Sequence, residues 1–302
     1  MEVVVAVGEE LAAALQGADA VVCGRLSEAD TAEATRLRLV QSVSAGADGI
    51  ERAAIPPGCT LCNLHGHEQA IAEWALMCML ALSRRLLVYD RGLRGGLWQR
   101  FGEDVTLPLE RTLRGRVVGA IGHGHIGRRV LELARGLGLE TLAVTRTPSA
   151  GVPGLDRLPQ LLAAADFAVV AVPLTEETLG LIGARELELL GPDGYLLNPA
   201  RGAIVDERAL YEALRDGVIA GAAIDTWYRY PSREGEAVEP SAFPFAELPN
   251  VVMTPHVSGR SQETREARRR FVGEQIARLA GGEPLLNVVA TGPPQPPSAP
   301  TS

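Results

Sequence analysis

The chain contains no lysine, so all 29 of its basic side chains are arginine. Schiff-base chemistry and the lysine-dependent phosphate loop are therefore excluded. Cysteine is sparse: Cys23, Cys59, Cys62 and Cys78 are the full complement and fit reduced thiols. Cys59-x-x-Cys62 followed by His65 and His67 resembles the start of a metal cluster, but no second ligand pair is spaced to complete a structural zinc site. No metal is expected, and the thiols read as buried strand-end groups. Long apolar runs are missing too, since the longest uncharged one, Trp74 to Leu82, falls far short of the ~20 residues that cross a bilayer. The N-terminus lacks the basic start and apolar core of a secretion signal, so a soluble, cytoplasmic protein is expected. Positive charge is also short: a net charge of -8 gives no general polyanion-binding character, which argues against nucleic acid or an acidic membrane as a partner.

What is present is organised around Gly115 to Arg129. A short apolar run, Val117 to Ile121, reads as a buried parallel strand and feeds into Gly122-x-Gly124-x-x-Gly127 and then an amphipathic helix, with His125 and Ile126 between the glycines as further candidate cofactor contacts. In a dinucleotide site the first glycine allows a tight turn, the second lets the backbone approach a pyrophosphate, and the third lets helix and strand pack closely. The pyrophosphate then meets the free N–H groups of the helix start.

A length of 302 residues accommodates two domains with cores of their own. Upstream of the glycines, Val3–Val7, Ala20–Cys23 and Leu39–Val43 read as strands, with Glu9–Leu15 and Ala32–Arg36 as helices between them. The small-residue loop after Val43 includes Ser44, Ala45 and Gly46, whose backbone N–H groups are suited to holding an anion. Glu68 to Asp90 reads as one long helix, apolar on nearly every side, which fits a domain-linking or subunit-interface role. Downstream, Leu142–Thr145, Phe167–Val172, Gly194–Leu197 and Ile219–Ile224 read as strands alternating with helices near Ala163, Glu186 and Leu210. This is the pattern of an α/β doubly wound parallel sheet. Gln262 to Ala280 reads as a helix with a solvated arginine face, and the proline-rich end of the chain as a disordered tail.

At the end of the strand following the glycine helix stand Thr145, Arg146 and Thr147, where a site for the unphosphorylated dinucleotide usually carries an acid. Arginine without an acid suits a 2′-phosphate, which favours NADP(H) over NAD(H). Val172, Pro173 and Thr178 could wall the nicotinamide side of a cleft. Asn198-Pro199-Ala200-Arg201-Gly202 and Thr254-Pro255-His256-Val257-Ser258-Gly259 each follow a strand, at the sheet edge that faces ligand. Hydride transfer to a 2-oxo acid needs a guanidinium to grip the carboxylate and a group titrating near neutrality to protonate the new alkoxide.

With these motifs at this mutual spacing, the chain resembles the D-isomer-specific 2-hydroxyacid dehydrogenases, including their phosphoglycerate, hydroxypyruvate, phosphite and formate dehydrogenase branches. The resemblance implies two Rossmann-like doubly wound parallel-sheet domains, with the cofactor domain inserted into the substrate domain. Residues 1–92 plus 263–290 would form the substrate domain, 93–262 the dinucleotide-binding domain, and 291–302 the disordered tail. It further implies that Arg201 binds and polarises substrate, that His256 is the general acid or base, and that Asp225 accepts a hydrogen bond from the nicotinamide carboxamide. Ser44, Ala45 and Gly46 would hold the substrate anion, and Ser258 and Gly259 would border the cofactor. A homodimer and a small anionic substrate are expected.

One position departs from the family. A glutamate that orients the histidine usually stands in an Asp-x-x-x-x-Glu-Pro register, whereas this chain reads Asp225 to Tyr230-Pro231. Tyr230 is the favoured occupant, with Glu239-Pro240 as the rival pairing, which requires a long excursion. A phenol on an imidazole supplies no negative charge, so the oxidation-direction pH profile should be displaced toward acid. Besides 2-oxo acid reduction, two readings stay open: turnover of a small phosphonate, phosphite or formate-like anion, and a dinucleotide-sensing co-repressor-like binding protein.

Overall fold

The computed structural model describes residues 2–8, 10–98, 109–148, 151–232 and 235–293. They fall into two compact units, Met1–Gly66 with Ser261–Ser302, and His67–Arg260.

The first unit holds α1 (Glu10–Leu15), β1 (Ala20–Cys23), α2 (Glu28–Thr31), β2 (Leu39–Ser42) and β3 (Thr60–Cys62). The second holds α3 (Glu68–Ser83), α4 (Leu86–Arg94), β4 (Val117–Ile121), α5 (His125–Gly136), β5 (Glu140–Val144), α6 (Leu158–Ala164), β6 (Phe167–Val170), α7 (Ala184–Leu190), β7 (Tyr195–Asn198), α8 (Glu207–Arg215), β8 (Gly221–Ile224) and β9 (Val251–Met253). The chain then returns to the first unit with α9 (Gln262–Gly281) and β10 (Val288–Thr291).

In the first unit the strand order is β1-β2-β3-β10. The first three strands are parallel and β10 runs antiparallel to β3. Gln275 of α9 is fully buried and donates to Gln41 Oε1 at 3.1 Å and to the Leu286 carbonyl at 3.0 Å, tying the returning segment to β2. Three expectations change here. Val3–Val7 is not a strand: Val3, Val4, Val5 and Val7 are exposed, because β-propensity without a ladder partner does not make a strand. The second helix lies at Glu28–Thr31 rather than Ala32–Arg36, because Ser27 and Asp30 form a reciprocal capping box that starts it earlier. The supposed tail pairs as far as Pro293, whose carbonyl accepts from Gly58 N–H at 3.0 Å, and residues 294–302 lie outside the described residues.

In the second unit all six strands are parallel, in the order β5-β4-β6-β7-β8-β9. Strand alternation divides its core in two. Val118, Ala120, Phe167, Val169, Leu197 and Ala223 pack with α3 and α5, while Ala168, Val170, Leu196, Ala222 and Ile224 pack with α6, α7 and α8. The buried Ala72, Ala75, Cys78, Met79 and Leu82 put α3 in this core, which is why the unit boundary falls at Gly66 and not after residue 92. The expected single helix from Glu68 to Asp90 breaks at Arg85, which adopts a left-handed φ of 48°. Beyond it α4 buries no residue, so nothing in the core requires the axis to continue straight.

Candidate active site

β4 has β5 on one side and β6 on the other, so the chain leaves it in opposite directions at its C-terminal end. Gly122 occupies that point with φ of 114°. A Cβ there would lie 2.3 Å from the Ala171 carbonyl oxygen, and one on Gly127 would lie 1.9 Å from the Gly122 carbonyl oxygen. Both positions are closed to any side chain by the protein itself. Gly124, the residue that caps α5, is different: it is exposed and a Cβ there meets nothing within 4 Å. No protein packing demands that glycine, and it stands at the N-terminal end of α5, the kind of position where a helix holds a pyrophosphate. The residues present therefore fit a dinucleotide.

The neighbouring side chains follow from this turn. His125 is the exposed first residue of α5, with Nδ1 4.0 Å from Glu68 Oε1, and Ile126 packs on the α3–α5 core. His123, between the two glycines, has its pKa lowered by burial and by Arg128 and Arg135. Thr145 donates its N–H to the Pro153 carbonyl at 2.9 Å, and Arg146 and Thr147 line a cavity of about 500 Å³. After β6, Val172 is buried and Pro173 is exposed. Thr178 is 0% exposed, and its hydroxyl donates to the Pro173 carbonyl at 2.7 Å and accepts from Thr175 N–H at 2.8 Å. Thr178 thus pins the turn that follows β6.

Three strand ends further along carry the polar chemistry. After β7, the buried Asn198 accepts from Ala200 N–H at 3.1 Å and donates to the Arg201 carbonyl at 2.9 Å, setting the turn from which Arg201 projects. One guanidinium nitrogen of Arg201 donates to the Ala200 carbonyl at 2.8 Å. Gly202 is obligatory, because a Cβ would lie 2.6 Å from the Trp227 carbonyl oxygen; the Arg201 turn rests directly on the backbone that follows β8.

After β8, Asp225 is 0% exposed. Its carboxylate accepts from Val257 N–H at 2.8 Å, Ser258 N–H at 2.9 Å and the Thr254 hydroxyl, while its carbonyl accepts from His256 N–H at 2.8 Å. Enclosed in this way, Asp225 shapes the histidine turn. Ser258 is buried by the same bonds, and Gly259 packs near His67 and Ile71. His256 itself sits at φ of 56°, an uncommon conformation for a residue with a side chain.

Tyr230 places its hydroxyl 3.0 Å from His256 Nδ1, with the rings edge to face at 5.6 Å between centroids. The same oxygen accepts from Trp227 N–H at 3.2 Å, and Trp227 Nε1–H donates to the Thr254 carbonyl at 2.9 Å. Glu239 is exposed, and the adjacent Pro240 carbonyl accepts from Tyr228 and Arg229 N–H. Trp74, absent from the sequence-based site, donates from Nε1 to the Thr254 hydroxyl at 3.1 Å and supports the histidine turn from α3. A tryptophan on an apolar helix carries no sequence signal for that role.

In the first unit, Ser44 N–H is taken by the Ser42 hydroxyl at 3.2 Å, and the Ser44 hydroxyl donates to the Gly46 carbonyl at 2.7 Å. Asn63 donates to the Ala45 carbonyl at 2.8 Å. Of the three N–H groups expected to hold an anion, those of Ala45 and Gly46 are the two that no bond among the described residues occupies. Burial pushes the thiols of Cys23 and Cys59 up to about 11 and that of Cys78 up to about 12, so they are unreactive near neutrality. No helix among the described residues is long and apolar enough to cross a membrane.

Residues 76–258 match the pattern described as D-isomer specific 2-hydroxyacid dehydrogenase, NAD binding domain. A glyoxylate reductase of Thermococcus litoralis is 33% identical over 85% of this chain and 78% of its own length. A glycerate dehydrogenase of Methylorubrum extorquens is 30% identical over 93% of this chain and 88% of its own length. Among solved structures, an NADPH-dependent glyoxylate/hydroxypyruvate reductase from Sinorhizobium meliloti, in complex with NADP and malonate, is similar with a TM-score of 0.75 and 31% identity, covering 93% of this chain and 86% of that one.

The two kinds of glycine can be separated by substitution. Gly127→Ala should lower unfolding free energy by roughly 3 kcal/mol, because its methyl meets a backbone carbonyl that cannot move aside. Gly124→Ala should stay within about 1 kcal/mol of the parent yet weaken dinucleotide binding by about tenfold or more, read by denaturant melts and coenzyme titration together. Equal loss of stability in both would contradict the assignment of Gly124 to a ligand.

Proposed function

The chain belongs to the D-isomer specific 2-hydroxyacid dehydrogenase family, whose members are NAD(P)-dependent oxidoreductases, and from that premise we propose that it reduces a small 2-oxo acid of the glyoxylate or hydroxypyruvate type. The observation that carries the reading is the sheet edge itself. The open Gly124 turn, the Arg201 turn and the Asp225-held His256 turn all follow C-terminal ends of strands in one parallel sheet. The two oxo-acid substrates come from the relatives named glyoxylate reductase and glycerate dehydrogenase and from the Sinorhizobium enzyme.

When bound, the reduced nicotinamide supplies hydride to the carbonyl carbon. The rest falls to side chains. Arg201 grips the substrate carboxylate with two parallel donors and polarises the carbonyl, a task suited to a planar guanidinium. His256 delivers a proton from Nε2 to the oxygen as it becomes an alkoxide and takes one back in the oxidation direction. Tyr230, bonded at Nδ1, fixes the ring so that Nε2 faces the substrate. The backbone N–H groups of Ala45 and Gly46, with Ser44 shaping the loop, hold an anion. Gly122, Gly124, His125, Ile126 and Gly127 form the pyrophosphate turn, Thr145, Arg146 and Thr147 the adenosine end, and Val172, Pro173, Thr178, Ser258 and Gly259 the wall near the nicotinamide, with Asp225 accepting a hydrogen bond from its carboxamide. Arg146 favours NADP(H), with NAD(H) as the second coenzyme.

A panel of glyoxylate, hydroxypyruvate, pyruvate, phenylpyruvate, phosphonopyruvate, formate and phosphite, each with both coenzymes, tests this reading. Oxidation of reduced coenzyme by glyoxylate or hydroxypyruvate is expected. Turnover confined to formate or phosphite, or coenzyme binding with no turnover of any member, would overturn it.

The phenol adds a second expectation. Tyr230→Glu places a carboxylate on the imidazole and favours its charged form, so the acid limb of the oxidation profile should move up by about one pH unit. Tyr230→Phe should slow both directions, while Glu239→Gln leaves them unchanged. If Tyr230→Phe left affinity, rate and pH profile untouched, the tyrosine would not belong to the site.

A homodimer belongs to the same proposal. Met77 and Leu80 of α3, Leu87 and Leu93 of α4, and Leu97 and Trp98 after it are exposed, a run of apolar side chains that a second copy would cover. Light scattering at micromolar concentration should return twice the chain mass, and a monomer mass would remove this part.

A further inference from the structure

The adenosine end of the site deepens the dehydrogenase reading and rests on it. The strand end at Thr145-Arg146-Thr147 carries a cation and no acid, which taken alone favours a 2′-phosphate. The fold supplies acids from elsewhere. The cavity of about 500 Å³ lined by Arg146 and Thr147 is completed by Thr175, Glu176 and Glu177 from the loop after β6.

That loop is held firmly. Thr178 is wholly buried, its hydroxyl bonded to the Pro173 carbonyl and to Thr175 N–H, and Leu179 N–H donates back to the Thr175 carbonyl at 2.9 Å. Glu176 and Glu177 are the exposed residues between these anchors. Because β5 and β6 are the two neighbours of β4, the loops following them flank the glycine turn. A dinucleotide bound over that turn would carry its adenosine ribose toward the ends of the strands that neighbour β4, where this cavity lies.

We propose that Glu176 and Glu177 are the acidic half of a coenzyme selector whose basic half is Arg146. They supply, from the loop after β6, the negative charge that other sites carry at the end of the second strand. Their carboxylates accept hydrogen bonds from ribose hydroxyls and repel a 2′-phosphate, while Arg146 attracts it. The protein therefore binds both NADH and NADPH, in a ratio set by the charge balance of this cavity.

Titration of the intrinsic fluorescence of NADPH and NADH reads this without any substrate. The unaltered protein should bind the two within about tenfold of each other. Glu176→Gln with Glu177→Gln should tighten NADPH about three- to tenfold and should not tighten NADH, the gain shrinking in 0.5 M NaCl as screening requires. Arg146→Ala should loosen NADPH more than NADH. If both coenzymes bind and the double substitution leaves their ratio unmoved, the selector is disproved and the dehydrogenase reading stands. If the unaltered protein binds neither coenzyme, both fall together.

Discussion

The candidate site depends first on a carboxylate that never meets solvent. Asp225 accepts two backbone N–H groups and a hydroxyl, and its own carbonyl takes the N–H of His256, so one residue after β8 dictates the path of the chain after β9. Hydrogen bonds to a charged acceptor are the strong ones, and removal of this acceptor would leave buried donors without partners. That concentration of bonding compensates for holding His256 in a left-handed conformation, which a residue with a Cβ adopts only when its surroundings fix it. The strain sits on the residue given the proton-transfer role.

The same economy governs the approach of backbone to backbone. Gly122, Gly127 and Gly202 are each closed to a side chain by a carbonyl oxygen, and each closure brings a turn of the candidate site to the sheet edge: two shape the turn between β4 and α5, and the third seats Arg201 on the segment carrying Trp227 and Tyr230. Gly124 alone of the four opens onto empty space. The packing rationale that covers three of these glycines does not extend to the fourth, which stands where α5 begins.

Much of this was legible in the sequence because its signals are local. A strand, three glycines and an amphipathic helix lie within Val117 to Gly136, and the phenol at Tyr230 followed from counting residues after Asp225. Features that depend on distant partners were not legible. Val3–Val7 has the composition of a strand but no ladder to join. The break at Arg85 carries neither glycine nor proline to announce it. The burial of Asp225 follows from donors about 30 residues away, and the meeting of Arg146 with Glu176 and Glu177 follows from the order of strands in the sheet. The early start of α2 stands apart: Ser27 and Asp30 spell a capping box that the sequence displays openly.

The central claim is that Arg201 and His256 act on one carbon, beside a nicotinamide whose pyrophosphate lies over Gly124. The most direct measurement is a crystal structure of the protein with NADPH and oxamate, an unreactive mimic of a 2-oxo acid. The oxamate carboxylate should lie on the Arg201 guanidinium, its amide oxygen within about 2.6–3.2 Å of His256 Nε2, and the Tyr230 hydroxyl still on Nδ1. Oxamate bound away from both residues, or a pyrophosphate that avoids the Gly124 turn, would contradict the account.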